Sequence, residues 1–325
     1  MLIINADEQK KLVDMNEIIE YAAVALKEFS AERTITPIRA ALSFHNDQNT
    51  SLIMPSVAEK LSSVGVKIVN VAADNQKLGK KTINGVVMLS DFKTGEPLAL
   101  LEGSYLTMVR TGALSGAATK YLSREDSKNL CIIGTGEQAK GLVEAVLAVR
   151  DIQEIFLYNR TEKRAHEFAE YIRKTFNKCV EVYSDADMAV READIIVTAT
   201  NSSTPVFSER LKPGVHINAV GSFRPTMQEL PSHVISSADK VVVESKEAAL
   251  EETGDFQFPI NEGIFNASDI YGELGQLIEE GKGRTGDKEI TLFKSVGLAA
   301  VDIVIAKYFY KKAVENKMGT SIQLS

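Results

Sequence analysis

Residues 129–139 read Asn129-Leu130-Cys131-Ile132-Ile133-Gly134-Thr135-Gly136-Glu137-Gln138-Ala139. The apolar run up to Ile133 suits a strand buried on both faces, and it passes directly into G-x-G-x-x-A and then a helical pattern. In that setting each small residue has a physical task. Gly134 permits the tight turn, Gly136 lets a pyrophosphate approach the backbone, and Ala139 lets helix and strand pack closely. The helix that opens at Glu137 and Gln138 offers its unpaired N–H groups to phosphate. The stretch predicts dinucleotide binding.

The surrounding chain repeats the theme. Strands are expected near 130–133, 155–158, 180–183, 194–199, 216–220 and 240–243, with helical stretches between most of them. Six such strands predict an α/β fold with a Rossmann doubly wound parallel sheet. The end of the second strand decides the cofactor. An NAD site usually places an acidic residue there, about 20 residues past the glycines. This chain has Tyr158-Asn159-Arg160-Thr161, with Arg164 one turn later. A 2′-phosphate would be repelled by a carboxylate and held by Arg160 through charge-assisted hydrogen bonds. The expected cofactor is NADPH, with NADH as the alternative.

Ahead of this region the periodicity differs. Asp14 can cap a first helix, with Glu17 completing a capping box, and Ile18, Ala22, Ala25, Leu26 and Phe29 follow at helical spacing. From Ile38 to Gly103 short β-prone runs dominate: 38–44, 51–54, 66–71, and 85–90 paired with 97–101 across Lys93-Thr94-Gly95-Glu96. A small-residue helix is expected over Thr107–Leu122. An apolar one, Val296–Ala313, is expected to pack back on the first segment. The predicted organisation is an α+β substrate and dimerisation domain, 1–118 with 294–325, and a Rossmann domain, 119–293.

Composition narrows the function classes. A net charge of −7 argues against a nucleic-acid surface. No apolar run approaches the roughly 18 residues that span a bilayer, and the N-terminal sequence lacks a signal-peptide pattern, so a cytoplasmic protein with no membrane partner is expected. The two cysteines, Cys131 and Cys179, are read as buried free thiols. The four histidines are scattered, and no metal site is expected.

Three cations sit in apolar surroundings. Arg39 follows Pro37-Ile38 in an apolar strand, Lys67 interrupts another, and Arg110 lies among small residues in Thr107-Met108-Val109-Arg110-Thr111-Gly112-Ala113. Alone, each reads best as a surface ion pair or a snorkelling side chain. Beside a dinucleotide domain they suggest a pocket for an anionic small molecule, in which guanidinium groups fix both energy and orientation.

The chain resembles the ornithine cyclodeaminase/μ-crystallin family over nearly its whole length. The likeness runs through Met54-Pro55, Gly65-Val66-Lys67, Arg110-Thr111-Gly112-Ala113, the glycine loop, Val197-Thr198-Ala199-Thr200, Gly221-Ser222-Phe223-Arg224-Pro225, Ser245-Lys246-Glu247-Ala248-Ala249 and Phe293-Lys294-Ser295-Val296-Gly297. The resemblance implies a homodimer. It implies that Arg39, Lys67 and Arg110 hold a substrate carboxylate, with Val296 beside the substrate. It also implies that Thr82, Arg110, Thr200, Val220, Gly221, Ser222 and Ser295 contact the cofactor. One position departs: where the family's cyclodeaminases carry an acidic residue in a Gly-Gly-Asp segment, this chain has Phe223, which cannot accept a proton. The sequence is most like the family's reductases of cyclic imino acids, such as Δ1-pyrroline-2-carboxylate or Δ1-piperideine-2-carboxylate. The other readings are a cyclodeaminase-like lyase, an amino-acid dehydrogenase or synthase, and a cofactor-binding protein without chemistry. The source of the proton stays open between Lys67 and a substrate that binds already protonated.

Overall fold

The computed structural model describes residues 1–46 and 48–323. It divides into two units, Met1–Arg110 with Leu298–Ser325, and Thr111–Gly297. Both divisions differ from the expected 118/119 and 293/294. The helix Gly103–Leu122 is continuous, so no break in periodicity marks the first boundary. At the second, residues 291–294 form a strand of the Rossmann sheet and carry Ser295–Gly297 with them.

In the first unit, α1 (Ala6–Leu12) precedes the helix the sequence reading starts with. Asn5 caps it in a capping box with Glu8. Asp14 does cap α2 (Met15–Ser30), accepting from the N–H groups of Asn16 and Glu17. The Glu17 carboxylate, however, lies 2.7 Å from Lys312 Nζ in an ion pair.

The strands are β1 (Leu2–Ile4), β2 (Thr34–Ile35), β3 (Ala40–Phe44), β4 (Asn49–Ala58), β5 (Ser63–Ala72), β6 (Ile83–Ser90) and β7 (Pro97–Glu102). They form a mixed sheet in the order β1-β7-β6-β5-β4-β2, with β3 on β4 and the terminal strand Thr320–Ser321 on β1. Only the β1–β7 ladder is parallel. β3 starts after Arg39, which lies in the segment before the strand rather than inside it.

Strand alternation sends Leu52, Met54, Val69, Val87 and Leu89 to one face, where they are buried. The C-terminal helix Ala299–Glu315 packs there against β4, β5 and β6, as the apolar run near the C-terminus led us to expect, although it starts three residues after Val296. Ile68 and Val86 point to the opposite face and are exposed, as are Leu42 and Phe44 of β3.

In the second unit, β8 (Asn129–Ile133), β9 (Glu154–Tyr158), β10 (Cys179–Val182), β11 (Ile195–Thr198), β12 (His216–Ala219), β13 (Lys240–Val243), β14 (Ile270–Glu273) and β15 (Thr291–Lys294) form one sheet. Its order is β10-β9-β8-β11-β12-β15-β13-β14, and every ladder is parallel. This is the doubly wound sheet, with eight strands rather than six. β15 escaped the sequence reading because its apolar run is only Leu292-Phe293, closed by Lys294. Lys294 is fully buried, and its ammonium lies 2.7 Å from Asp255 Oδ2. β14 is an edge strand with a glycine and an irregular register.

Leu130 and Ile132 pack against α4 (Glu137–Val149) and α5 (Glu162–Phe176), and Cys131 and Ile133 against the other layer. Burial pushes the Cys131 thiol well up from its ordinary range. Cys179, in contrast to the expectation, is exposed on the edge strand β10. Gly112 lies against the backbone of Gly141 with no room for a methyl, which accounts for the glycine two residues after Arg110.

Candidate active site

The sheet order places β8 between β9 and β11, so the connections leave β8 in opposite directions. In an open α/β sheet that reversal opens a crevice at the carboxyl ends of the strands. The glycine loop stands at this point. Gly134 has φ +97°, a conformation that L side chains rarely adopt. Its N–H donates to Tyr158 O at 3.0 Å. A Cβ on Gly134 would come within 2.6 Å of Ala199 O and 2.8 Å of Thr200 Cγ2, so both turn and packing require glycine.

Gly136 differs. A Cβ there would meet nothing within 4 Å, and as N-cap of α4 the residue offers no side-chain acceptor to the helix. The amide end of α4 therefore faces open space. The hydroxyl of Thr135 and Oε1 of Gln138 are buried without a hydrogen-bond partner among the described residues. Buried polar atoms of this kind call for an occupant. A phosphate oxygen could accept from Thr135, and a ribose hydroxyl could donate to Gln138. The residues present fit a dinucleotide.

Ala139 is buried, and its N–H donates to Gly136 O at 3.0 Å. The Glu137 side chain pairs with Lys140 at 3.0 Å. Asn159 Oδ1 accepts from the Thr135 N–H at 3.3 Å, and its amide nitrogen donates to Thr161 O at 2.9 Å. Arg160, Thr161 and Arg164 are all exposed just beyond the carboxyl end of β9.

The ends of β11, β12 and β15 carry the remaining positions of this unit. Thr200, Val220 and Gly221 are half-buried. Ser222 and Ser295 are not open at all. The Ser222 hydroxyl lies 2.7 Å from Met227 O and 2.6 Å from Thr253 Oγ1, and the Ser295 hydroxyl donates to Glu244 Oε2 at 2.8 Å. Both hydroxyls are thus committed to protein partners. Val296 is buried, its N–H 2.6 Å from Glu244 Oε1. Phe223 is half-buried, with the Arg224 guanidinium 5.6 Å from its ring centre.

Two buried carboxylates that the sequence reading passed over organise these ends. Glu229 accepts from Thr198 Oγ1 and from the N–H groups of Thr200, Gly221 and Ser222. Glu244 serves Ser295, Val296 and Gly297. Burial raises the Glu229 pKa against the opposing Lys294 charge. Glu244 had a signal: it is the acid directly after the apolar strand Val241–Val243. Glu229 had none.

In the first unit, Lys67 is 1% exposed and its ammonium lies 2.8 Å from Asp302 Oδ1. Arg110 Nε approaches the same oxygen at 3.1 Å, off the line of a hydrogen bond. Burial pushes the Lys67 pKa down to about 8. Asp302 opposes that shift, while Arg110 and Arg39 add to it. Both guanidinium groups thus act on one ammonium, which brings the three expected cations into one neighbourhood. Asp302 was also missed, although it is the single carboxylate in the run Leu298–Ala306. Thr82 lies in the bend before β6, its carbonyl accepting from Ala72 at 2.9 Å.

Comparison with known proteins gives the chain its relatives. The model of the ornithine cyclodeaminase/mu-crystallin family matches residues 2–317. A Delta(1)-pyrroline-2-carboxylate reductase of Bacillus cereus is 69% identical over 324 residues, covering 99% of this chain and 100% of that protein. The structure of Thermococcus litoralis Delta(1)-pyrroline-2-carboxylate reductase with NADH and L-proline superposes with a TM-score of 0.95. It is 38% identical and covers 99% of this chain and 100% of that one. An archaeal alanine dehydrogenase dimer with bound NAD gives a TM-score of 0.93 at 32% identity, covering 100% and 99%.

Proposed function

This chain belongs to the ornithine cyclodeaminase/mu-crystallin family, and on that footing we propose that it reduces Δ1-pyrroline-2-carboxylate to proline with a nicotinamide cofactor. The observation that carries the reading is the buried Lys67 ammonium among Arg39, Arg110 and Asp302. The segment Gly221-Ser222-Phe223 supports it, because it lacks the carboxylate a deaminase would use.

When bound, the reduced cofactor supplies a hydride to C2 of the C=N bond. The protein's own residues do the rest. Arg39, Lys67 and Arg110 hold the 2-carboxylate, each charge-assisted bond contributing about 1.5–3 kcal/mol and restricting the substrate to a reactive orientation. Asp302 keeps Lys67 cationic in a site that burial would otherwise neutralise. Lys67 can then also hold the proton that ends on the ring nitrogen, because a pKa of about 8 lies close to working pH. Thr135, Gln138 and the α4 amides hold the pyrophosphate and ribose. Arg160, with Arg164 beside it, meets a 2′-phosphate, so NADPH is preferred and NADH accepted.

The open apolar face of the first unit supports a homodimer. No helix among the described residues is long and apolar enough to cross a membrane, and the two free cysteines suit a reducing, cytoplasmic setting.

The test is turnover on cyclic imino acids of five- and six-membered rings with NADPH and NADH, followed by the loss of reduced-nicotinamide absorbance. Chiral chromatography then identifies the amino acid. Tight cofactor binding with no oxidation on any imino acid, or release of ammonia without net cofactor loss, would sink the proposal.

A further inference from the structure

The helices before and after β8 end together. α3 (Gly103–Leu122) leaves its last four carbonyls, Thr119 to Leu122, without partners further along the helix. Arg150, the C-cap of α4, serves two of them: its Nη2 donates to Thr119 O at 2.9 Å and to Lys120 O at 3.0 Å. The same guanidinium reaches Ser123 O at 3.2 Å, Arg124 O at 2.9 Å and, on its own helix, Val149 O at 2.7 Å. Tyr121 O accepts from the Arg284 N–H, and Leu122 O from Arg284 Nε and the Thr291 hydroxyl. Each helix has the negative end of its dipole here, so one cation holds two C-termini that would otherwise repel.

Further up α3 the contact is closer still. A methyl on Gly112 would come within 2.6 Å of the Gly141 carbonyl carbon, so the backbones of α3 and α4 touch with no side chain between them. Gly112 precedes Thr119 by seven residues, and Gly141 precedes Arg150 by nine. The helices thus meet twice in the same order and run in the same direction, with roughly 10–14 Å between the contacts at 1.5 Å per residue. From Thr111 on, α3 belongs to the same unit as α4, and Arg110 is the helix residue directly before. Counted back from Gly112 and Gly141, Arg110 corresponds to the first turn of α4, Glu137 to Lys140.

We infer that Arg150 is a positioning residue: by clasping the ends of α3 and α4 it fixes Arg110, which grips the substrate carboxylate, against the α4 amides, which hold the pyrophosphate. One helix can slide or turn on the other only by giving up these bonds, and the Gly112–Gly141 contact leaves no side chain to absorb the motion. Arg150 itself touches neither ligand. Its loss should therefore spare the affinity for each and spoil their mutual placement. The role rests on the proposed function, and it adds how the two grips keep one register.

The test is a single turnover in rapid mixing, with enzyme and reduced cofactor against saturating Δ1-pyrroline-2-carboxylate, followed at the reduced-nicotinamide absorbance. The amplitude counts folded sites, and the rate reads hydride transfer, which cofactor deuterated at the transferred C4 position must slow. Arg150→Met should keep the Kd of cofactor and of proline within about threefold. Its rate should fall about ten- to a hundredfold, the scale of a displacement of about 1 Å. Arg150→Lys, which keeps a cation but loses the planar fork, should fall between, and it carries the test if Arg150→Met does not fold.

A folded variant with the wild-type rate overturns the inference. So does a loss of amplitude at unchanged rate, since Arg150 would then serve stability alone. The proposed function fails in a different place. A wild type that oxidises no cofactor with any imino acid removes the reaction itself, whereas an active wild type beside an insensitive variant removes only the clasp.

Discussion

The Lys67 ammonium sits 2.8 Å from Asp302 Oδ1, a pairing of residues 235 positions apart that is buried at both ends. A buried ammonium alone would lose its proton. Asp302 opposes that, while Arg110 and Arg39 favour it, and the balance is a pKa of about 8. If protonated Lys67 serves the reaction, log kcat/KM falls above about pH 8. Asp302→Asn removes the opposing carboxylate, so the alkaline limb moves to lower pH, whereas a limb due to substrate titration would not move. The sign for stability is also fixed. The folded pKa lies below the ordinary 10.5, so the cost of burying the ammonium is present below about pH 8 and is lifted as pH rises toward 10.5. Should Asp302→Asn unfold the protein, as loss of a buried partner at about 3–5 kcal/mol allows, the same limb in Lys67→Arg should shift upward or vanish.

Lys67→Ala and Arg110→Ala are expected to lower kcat/KM by about 10²-fold each, from the loss of roughly 2–3 kcal/mol of charge-assisted bonding. Cofactor Kd, measured by quenching or enhancement of nicotinamide fluorescence, should change much less. Near wild-type kinetics in both variants would remove them from the site.

Two glycines of the same loop should separate fold from function. Gly134→Ala forces a methyl against Ala199 O at a positive φ, so it should lower Tm by several degrees, as a destabilisation of about 1–3 kcal/mol implies. Gly136→Ala meets no protein atom. Its Tm should match the wild type while dinucleotide affinity falls about tenfold or more, because the methyl stands where the pyrophosphate must approach. Equal affinity in Gly136→Ala would place the phosphates elsewhere.

How much of this was readable in the chain depends on where charge sits. The strand Leu130–Ile133 and its loop announce themselves because apolar residues and glycines have a local signature. β15 does not, since its apolar run is only Leu292-Phe293 before Lys294, whose partner Asp255 lies 39 residues away in sequence. Glu229 is hidden because a carboxylate looks like surface until the groups that bond it are known, whereas Glu244 and Asp302 leave only the trace of one acid closing or sitting inside an apolar run. Arg39, Lys67 and Arg110 could be singled out and grouped, but that Lys67 pairs with Asp302 beside the two guanidinium groups comes only from the fold.

The residues past β9 predict cofactor choice. Arg160 and Arg164 are exposed where an NAD site would hold an acid. Arg160→Ala should weaken NADPH by about tenfold, the value of one charge-assisted bond, and leave NADH within about twofold. Steady-state kinetics with both cofactors at several salt concentrations checks this, since an exposed guanidinium–phosphate pair is screened. A wild type that already prefers NADH would overturn it.

The open sheet face predicts the assembly. Ala40, Ile53, Ile68 and Val86 stand in register across β3, β4, β5 and β6, and Leu42 and Phe44 extend the patch along β3. A contiguous apolar face of this kind marks an interaction surface, and a second copy of the same face satisfies it by two-fold symmetry. Ile68→Glu places a charge in the middle of the row. Within one chain the side chain points outward, so folding should change by no more than about 0.5 kcal/mol. In a dimer the same carboxylate would be buried unpaired, at a cost of several kcal/mol. Sedimentation velocity should therefore show a dimer for the wild type and a folded monomer for Ile68→Glu at micromolar concentration. A wild type that sediments as a monomer, or a variant that stays dimeric with unchanged affinity, would assign the face to something other than a second copy.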